Sequence, residues 1–115
     1  MNDQAARIMP VVVVLPTEID VTNSEEVYQQ LVAALSPGVR TVIADMMATV
    51  FCDSSGVHAV MHAYESAAAR DVRMALAVSS ASSVRRVLEL IGVGRLMPVY
   101  ESLAEALAAS TKDGA

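Results

Sequence analysis

Apolar positions along this chain fall into two alternating patterns. Four short runs, residues 11–15, 41–46, 74–78 and 96–100, read as β-strands. The first three are rich in Val, Ile or Ala with no polar alternation, the pattern of strands buried on both faces. The fourth contains Pro98 and is expected at a sheet edge, because proline cannot donate to a ladder. A weaker fifth run precedes Pro10 at residues 5–9, as an extra strand or a disordered lead.

Between the strands the period changes to that of a helix. Thr22 with Glu25, and Asn23 with Glu26, have capping-box spacing. The stripe Val27, Tyr28, Leu31, Leu35 follows, and Pro37-Gly38 ends it. A second helix opens near Ser54, with Val57, Val60, Met61, Tyr64 and Ala68 expected on its core face. A third starts at Ser82 or Ser83, carries Val84, Val87, Leu88 and Ile91, and stops at Gly92. The last begins with the capping box Ser102-Leu103-Ala104-Glu105, and the tail over 110–115 is expected to fray. Strand alternating with helix predicts an α/β fold, a four- to five-stranded, mostly parallel sheet with about four helices, forming one domain over 1–115.

Composition narrows the function. Apolar residues are 54% of the chain but Phe, Trp and Tyr only 3%, so the core is aliphatic. The net charge of −5, with neither a basic patch nor an aromatic platform, argues against nucleic-acid binding. No apolar run reaches the ~18–20 residues that span a bilayer, and residues 1–4 do not open a signal peptide, so no membrane insertion is expected. A single cysteine excludes an internal disulfide and fits a reducing, cytoplasmic setting.

Candidate chemistry concentrates in Phe51-Cys52-Asp53-Ser54-Ser55-Gly56-Val57, where a strand-to-helix turn sets polar groups at the sheet edge. Asp53 or Ser54 can cap the helix, or the Ser54 hydroxyl can face solvent. A phosphate on Ser54 would meet the positive end of the helix dipole, so modification is expected to act on a docked partner rather than to unfold the domain. Nothing pairs a nucleophile with a base, and the Gly-x-Ser-x-Gly elbow is absent. His58 and His62 share a helix face, but Ala59 stands where a His-Glu-x-x-His zinc motif has Glu. Neither a metal site nor a cofactor is expected. Cys52 reads as a buried small apolar residue, the methionines as core filler, and Arg85-Arg86 as solvated charges.

The seven-residue run resembles the phosphorylation-site motif of STAS domains, the family of bacterial anti-sigma factor antagonists. Glu18-Ile19-Asp20 resembles the family's early Glu-Leu-Asp, and Asp45-Met46 its Asp-Leu before the phosphorylation loop. Gly94-Arg95-Leu96-Met97-Pro98-Val99-Tyr100 with Ser102-Leu103-Ala104-Glu105-Ala106-Leu107 resembles the last strand and helix. The resemblance implies a non-enzymatic switch that binds an anti-sigma factor/serine kinase, is inactivated by phosphorylation on Ser54, and is restored by a PP2C-type phosphatase. It places Asp20 and Asp53 as acids flanking the acceptor, with Ser55, Gly56 and His58 around it. The chain departs from the family at Pro16-Thr17, at Met47-Ala48 and at His58, where a small residue is usual. The departures at Pro16-Thr17 and His58 favour a second reading, a non-phosphorylated STAS adaptor in a regulatory or lipid-transport complex. A small hydrolase or nucleotide-binding protein is the third.

Overall fold

The computed structural model describes residues 9–114. Strands β1 (Val11–Val14), β3 (Thr41–Asp45), β5 (Arg73–Ala77) and β6 (Val99–Tyr100) form one sheet in the order β1-β3-β5-β6, all pairs parallel. Two further strands, β2 (Glu18–Ile19) and β4 (Phe51–Cys52), make a separate parallel pair. The helices are α1 (Ser24–Ala33), α2 (Ser54–Ala69), α3 (Ser83–Ile91) and α4 (Leu103–Gly114), with a 3-10 turn at Val93–Arg95. The extra run at residues 5–9 falls almost wholly outside the described residues.

The sheet is covered unequally. On one face Val42, Ala44, Met74, Leu76 and Val78 meet α1, α2 and α3 in a large aliphatic core. On the other, Ile43 and Ala77 meet α4 through Ala106, with Leu103 and Leu107 beside it. Alternate residues of β3 therefore feed opposite cores, and every residue of that strand is buried. The same holds for β5 beyond Arg73. It does not hold for β1, which is an edge strand; Val14 is 64% exposed. A continuous apolar run signals two buried faces only where a strand has neighbours on both sides.

Other expectations shift for local reasons. The fourth strand is two residues rather than five, because the 3-10 turn at Val93–Arg95 runs on into a bend through residues 96–97 with Leu96 exposed. It does lie at an edge, and Leu76 N–H bonds the Pro98 carbonyl, which needs no donor from proline. The core face of α2 runs through Gly56, Val57, Ala59, Val60, Ala63 and Ala67, leaving Ala68 exposed. The alanines let α2 cross α1 closely, over Val27 and Leu31. On α3, Val84 and Leu88 are buried but Ile91 faces outward. Gly92 ends α3 in the left-handed region at φ 89°, as its terminator role requires. Residues 110–114 lie within α4. Ser110 is buried with its hydroxyl donating to the Ala106 carbonyl, and Thr111 does the same to Leu107.

One helix start and one charged residue differ from the sequence reading. At α1 no side chain caps the helix. Asn23 instead accepts from Asp20 N–H and donates to the Glu18 carbonyl, while Asp20 accepts from Thr22 N–H and hydroxyl. Near the start of α3, Arg85 is not a solvated charge. Its guanidinium donates to the Val78 carbonyl at 2.6 Å and lies near Glu89 and Glu101. Of the methionines, Met46, Met74 and Met97 fill the core, but Met9 and Met47 are exposed.

Candidate functional site

The site lies beyond the C-terminal ends of β1 and β3. Leu15 N–H bonds the Asp45 carbonyl, and then both segments leave the main sheet. The two departing segments stay joined. Thr49 hydroxyl donates to the Pro16 carbonyl at 2.8 Å, and Val50 N–H to the Thr17 carbonyl at 2.7 Å. They then pair as β2 and β4, with Ile19 opposite Cys52. The next residue of each strand is therefore the next in register, and Asp53 N–H donates to the Ile19 carbonyl. In this way Asp20 and Asp53, far apart in sequence, end side by side at the mouth of α2.

Asp53 is the N-cap of α2 in extended backbone. Its Oδ1 accepts from Ser55 N–H at 2.9 Å, Gly56 N–H at 3.2 Å and the Ser55 hydroxyl at 2.6 Å. These bonds, the Ser55 hydroxyl foremost and the two backbone donors after it, hold the Asp53 carboxyl below the usual carboxylate range. The cap thereby divides the two serines. Ser55 is half-buried with its hydroxyl committed. Ser54 is exposed at the first helical position, and neither its hydroxyl nor its N–H has a partner among the described residues.

Gly56 is set by close packing. A Cβ built there would lie 2.6 Å from Cys52 Sγ and 2.7 Å from Ile19 Cγ2, both buried. The glycine thus lets α2 seat directly on the β2–β4 pair. Burial, reinforced by the neighbouring Asp53 charge, pushes the Cys52 thiol up to about 11, which keeps it protonated and inert at neutral pH.

His58 is exposed one turn along α2 and borders a cleft of about 460 Å³ between α1 and α2 with Glu25, Tyr28, Ser55 and His62. The Tyr28 and His62 rings meet edge-on at 6.5 Å. Among the described residues no group of three or more His, Cys, Asp or Glu could hold a metal ion, and no helix is long and apolar enough to cross a membrane.

Sequence patterning missed an apolar rim on these loops. Val21 is 76% exposed, Val50 65%, Phe51 50% and Met47 42%. Phe51 is the only phenylalanine in a chain poor in aromatics, and its place beside a polar turn was the available signal. Aromatic and aliphatic residues left exposed around a polar centre are typical of docking faces.

Strand order and helix placement, with α2 opening on the Asp53 cap, define a small α/β domain, and the STAS domain family model matches residues 2–106. The chain belongs to the STAS domain family. This is a regulatory family, and no enzyme family is indicated. No curated protein matches the chain in sequence. Among solved structures, it is similar to the anti-sigma factor antagonist SpoIIAA in its unphosphorylated form (29% identity, TM-score 0.69, 87% of this chain and 86% of that one). The phosphorylated form of the Bacillus cell fate determinant SpoIIAA is matched at 27% identity and TM-score 0.64, over 88% of this chain and 90% of that one. An anti-sigma factor antagonist from Mycobacterium paratuberculosis shares the fold at 23% identity and TM-score 0.76, over 89% and 86%. So does a sulfate transporter family protein from Wolinella succinogenes, at 18% identity and TM-score 0.69, over 90% and 85%.

Proposed function

We propose that this domain is an anti-sigma factor antagonist, working in the cytoplasm, that binds an anti-sigma factor/serine kinase through the edge around Ser54. Phosphorylation of Ser54 switches it off, and a PP2C-type phosphatase restores it. The observation that carries this reading is the division of labour at the α2 cap. Asp53 occupies the Ser55 hydroxyl and leaves Ser54 exposed and unbonded. The similarity to SpoIIAA, a protein solved in unphosphorylated and phosphorylated forms, supports a phosphorylation switch.

The physics of the switch resides in the partner. A phosphate on Ser54 adds about −1.5 to −2 charge at a helix start that tolerates it. A partner surface fitted over Val21, Val50 and Phe51 would have to bury that charge with no cation of its own set against it, at a cost of about 3–5 kcal/mol. At ~1.4 kcal/mol per decade, binding weakens a few hundredfold or more. The kinase would supply the base and the metal for transfer, so this chain requires neither.

The test is intact-mass measurement after incubation with ATP and a candidate anti-sigma kinase. The expected result is one added phosphate, abolished in Ser54→Ala and retained in Ser55→Ala. The similarity to a sulfate transporter family protein supports a second reading, a constitutive adaptor. A chain that binds its partner stably but takes no phosphate from any kinase tested favours the adaptor.

A further inference from the structure

We infer that His58 is the charge partner of phosphorylated Ser54, forming an intrahelical pair that shields the phosphate on its own domain. This rests on the phosphorylation reading above. Three observations carry it. First, Ser54 and His58 are four apart on α2, hence on one face about 5–6 Å apart at Cβ. Side chains on a helix lean toward its N-terminus, so an imidazole at 58 covers the turn holding 54 and 55. His58 indeed borders the same cleft as Ser55.

Second, both partners are available. Ser54 and His58 are exposed, and neither side chain makes a hydrogen bond among the described residues. The Ser54 N–H is also open, so a phosphate there finds one backbone donor and one imidazole within a turn.

Third, local cations are scarce. Between residues 8 and 69 the single Lys or Arg is Arg40. It precedes β3, at the opposite end of the sheet from Ser54. Arg85 is held by Val78 and the Glu101 side. The two histidines of the chain both sit on α2, and of these His58 is the one a turn from Ser54. The other titratable groups on the cleft beside His58 come from α1 and α2, and Arg86 is exposed on α3. From α1 come Tyr28 and Glu25, the latter already accepting from Gln29 at 2.9 Å. His62 lies one turn further along α2, against Tyr28. Asp53 is committed to its cap and Asp20 to Thr22.

A phosphomonoester loses its second proton near pH 6. The pairing favours the dianion and lowers the phosphate's titration midpoint. The experiment installs phosphoserine at position 54 during synthesis, without any kinase, and follows the phosphorus-31 resonance from pH 4.5 to 8.5. The expected midpoint is about 0.3 pH unit higher in His58→Ala than in the wild type, the size of an exposed i,i+4 ion pair. His62→Ala is expected to match the wild type. An unchanged midpoint in His58→Ala overturns the inference, and so does an equal shift in Arg86→Ala, which would assign the charge to α3. Because the phosphate is installed chemically, this result is independent of whether any kinase modifies Ser54.

Discussion

Helices α2 and α3 both start after a strand at the same end of the sheet, and both place an exposed serine, Ser54 or Ser83, at the first helical position. They differ in what holds the start and what surrounds it. At α2 a carboxylate takes three donors and commits the neighbouring serine. At α3 the hydroxyl of Ser82 takes one, Val84 N–H at 3.1 Å. Around α2 lie acids and exposed apolar residues. Around α3 lies a closed ionic network, in which Glu101 accepts from Ser80 N–H and hydroxyl and approaches Arg85. An exposed serine at a helix start is therefore not a switch by itself. The surroundings decide how fully a phosphate is compensated in place, with only the imidazole of His58 near Ser54 but Arg85 and Arg86 near Ser83, and how much is left for a partner to meet.

The strongest way to break this comparison is to place the same charge at both starts. With phosphoserine installed at 54, affinity for the anti-sigma partner, measured by calorimetry, is expected to fall a few hundredfold or more. With phosphoserine at 83, beside Arg85 and Arg86, the change is expected to stay below about threefold. Equal losses at both positions would show that added negative charge anywhere on this edge is enough, and the apolar rim around Ser54 would lose its role. Ser54→Ala is expected to bind like the wild type.

A smaller effect sharpens the packing half of the comparison. Gly56→Ala forces a Cβ against Cys52 and Ile19 and is expected to destabilise the domain by about 1–3 kcal/mol in chemical denaturation. A helix-propensity gain of up to about 1 kcal/mol offsets part of that. At Gly94, just past α3, an added methyl group would meet nothing within 4 Å, and φ is not positive. Gly94→Ala is therefore expected to be within about 0.5 kcal/mol of wild type. If the two substitutions cost the same, α2 is not seated on the β2–β4 pair as tightly as the distances require.

What could be read from the residues alone follows the same division. Strands β3 and β5 were legible because central position and burial on two faces both leave an unbroken apolar run. The third helix was legible at both ends, since Ser82 and Gly92 each satisfy a backbone need that few residues meet. Strands β2 and β4 were not, because two-residue pairs have no periodicity; they form because Pro16 and Thr17 carbonyls capture Thr49 and Val50. That pairing is also what sets Asp20 beside Asp53, so the residues alone could not show the two acids as neighbours, and only family resemblance put both at the site. The Thr22–Glu25 spacing misled because Asp20 and Asn23 bond each other's loop instead. The free state of Ser54 was undetermined between two capping candidates until the geometry gave the cap to Asp53.

The smallest effect separates the two caps by pH. Ser82→Ala is expected to cost about 1 kcal/mol, equally at pH 7 and pH 4, since a hydroxyl does not titrate there. Asp53 behaves differently. Its carboxyl is held below its ordinary value in the folded chain, so the unfolded chain binds its proton first as pH falls. The contribution is complete above the unfolded value, near pH 4, and is lost as pH drops through the lower folded value. Glu101 is depressed in the same direction by Ser80 N–H and hydroxyl, with Arg85 adding less, and so contributes an acid-side slope near α3. Denaturation series between pH 2.5 and 7 on Asp53→Asn and Glu101→Gln separate the two. Each substitution is expected to flatten part of the acid slope, and the double variant to flatten both. An Asp53→Asn series that keeps the full wild-type slope would mean that Ser55 and Gly56 do not favour the ionised cap. The carboxylate would then no longer explain why Ser54, rather than Ser55, is the free hydroxyl.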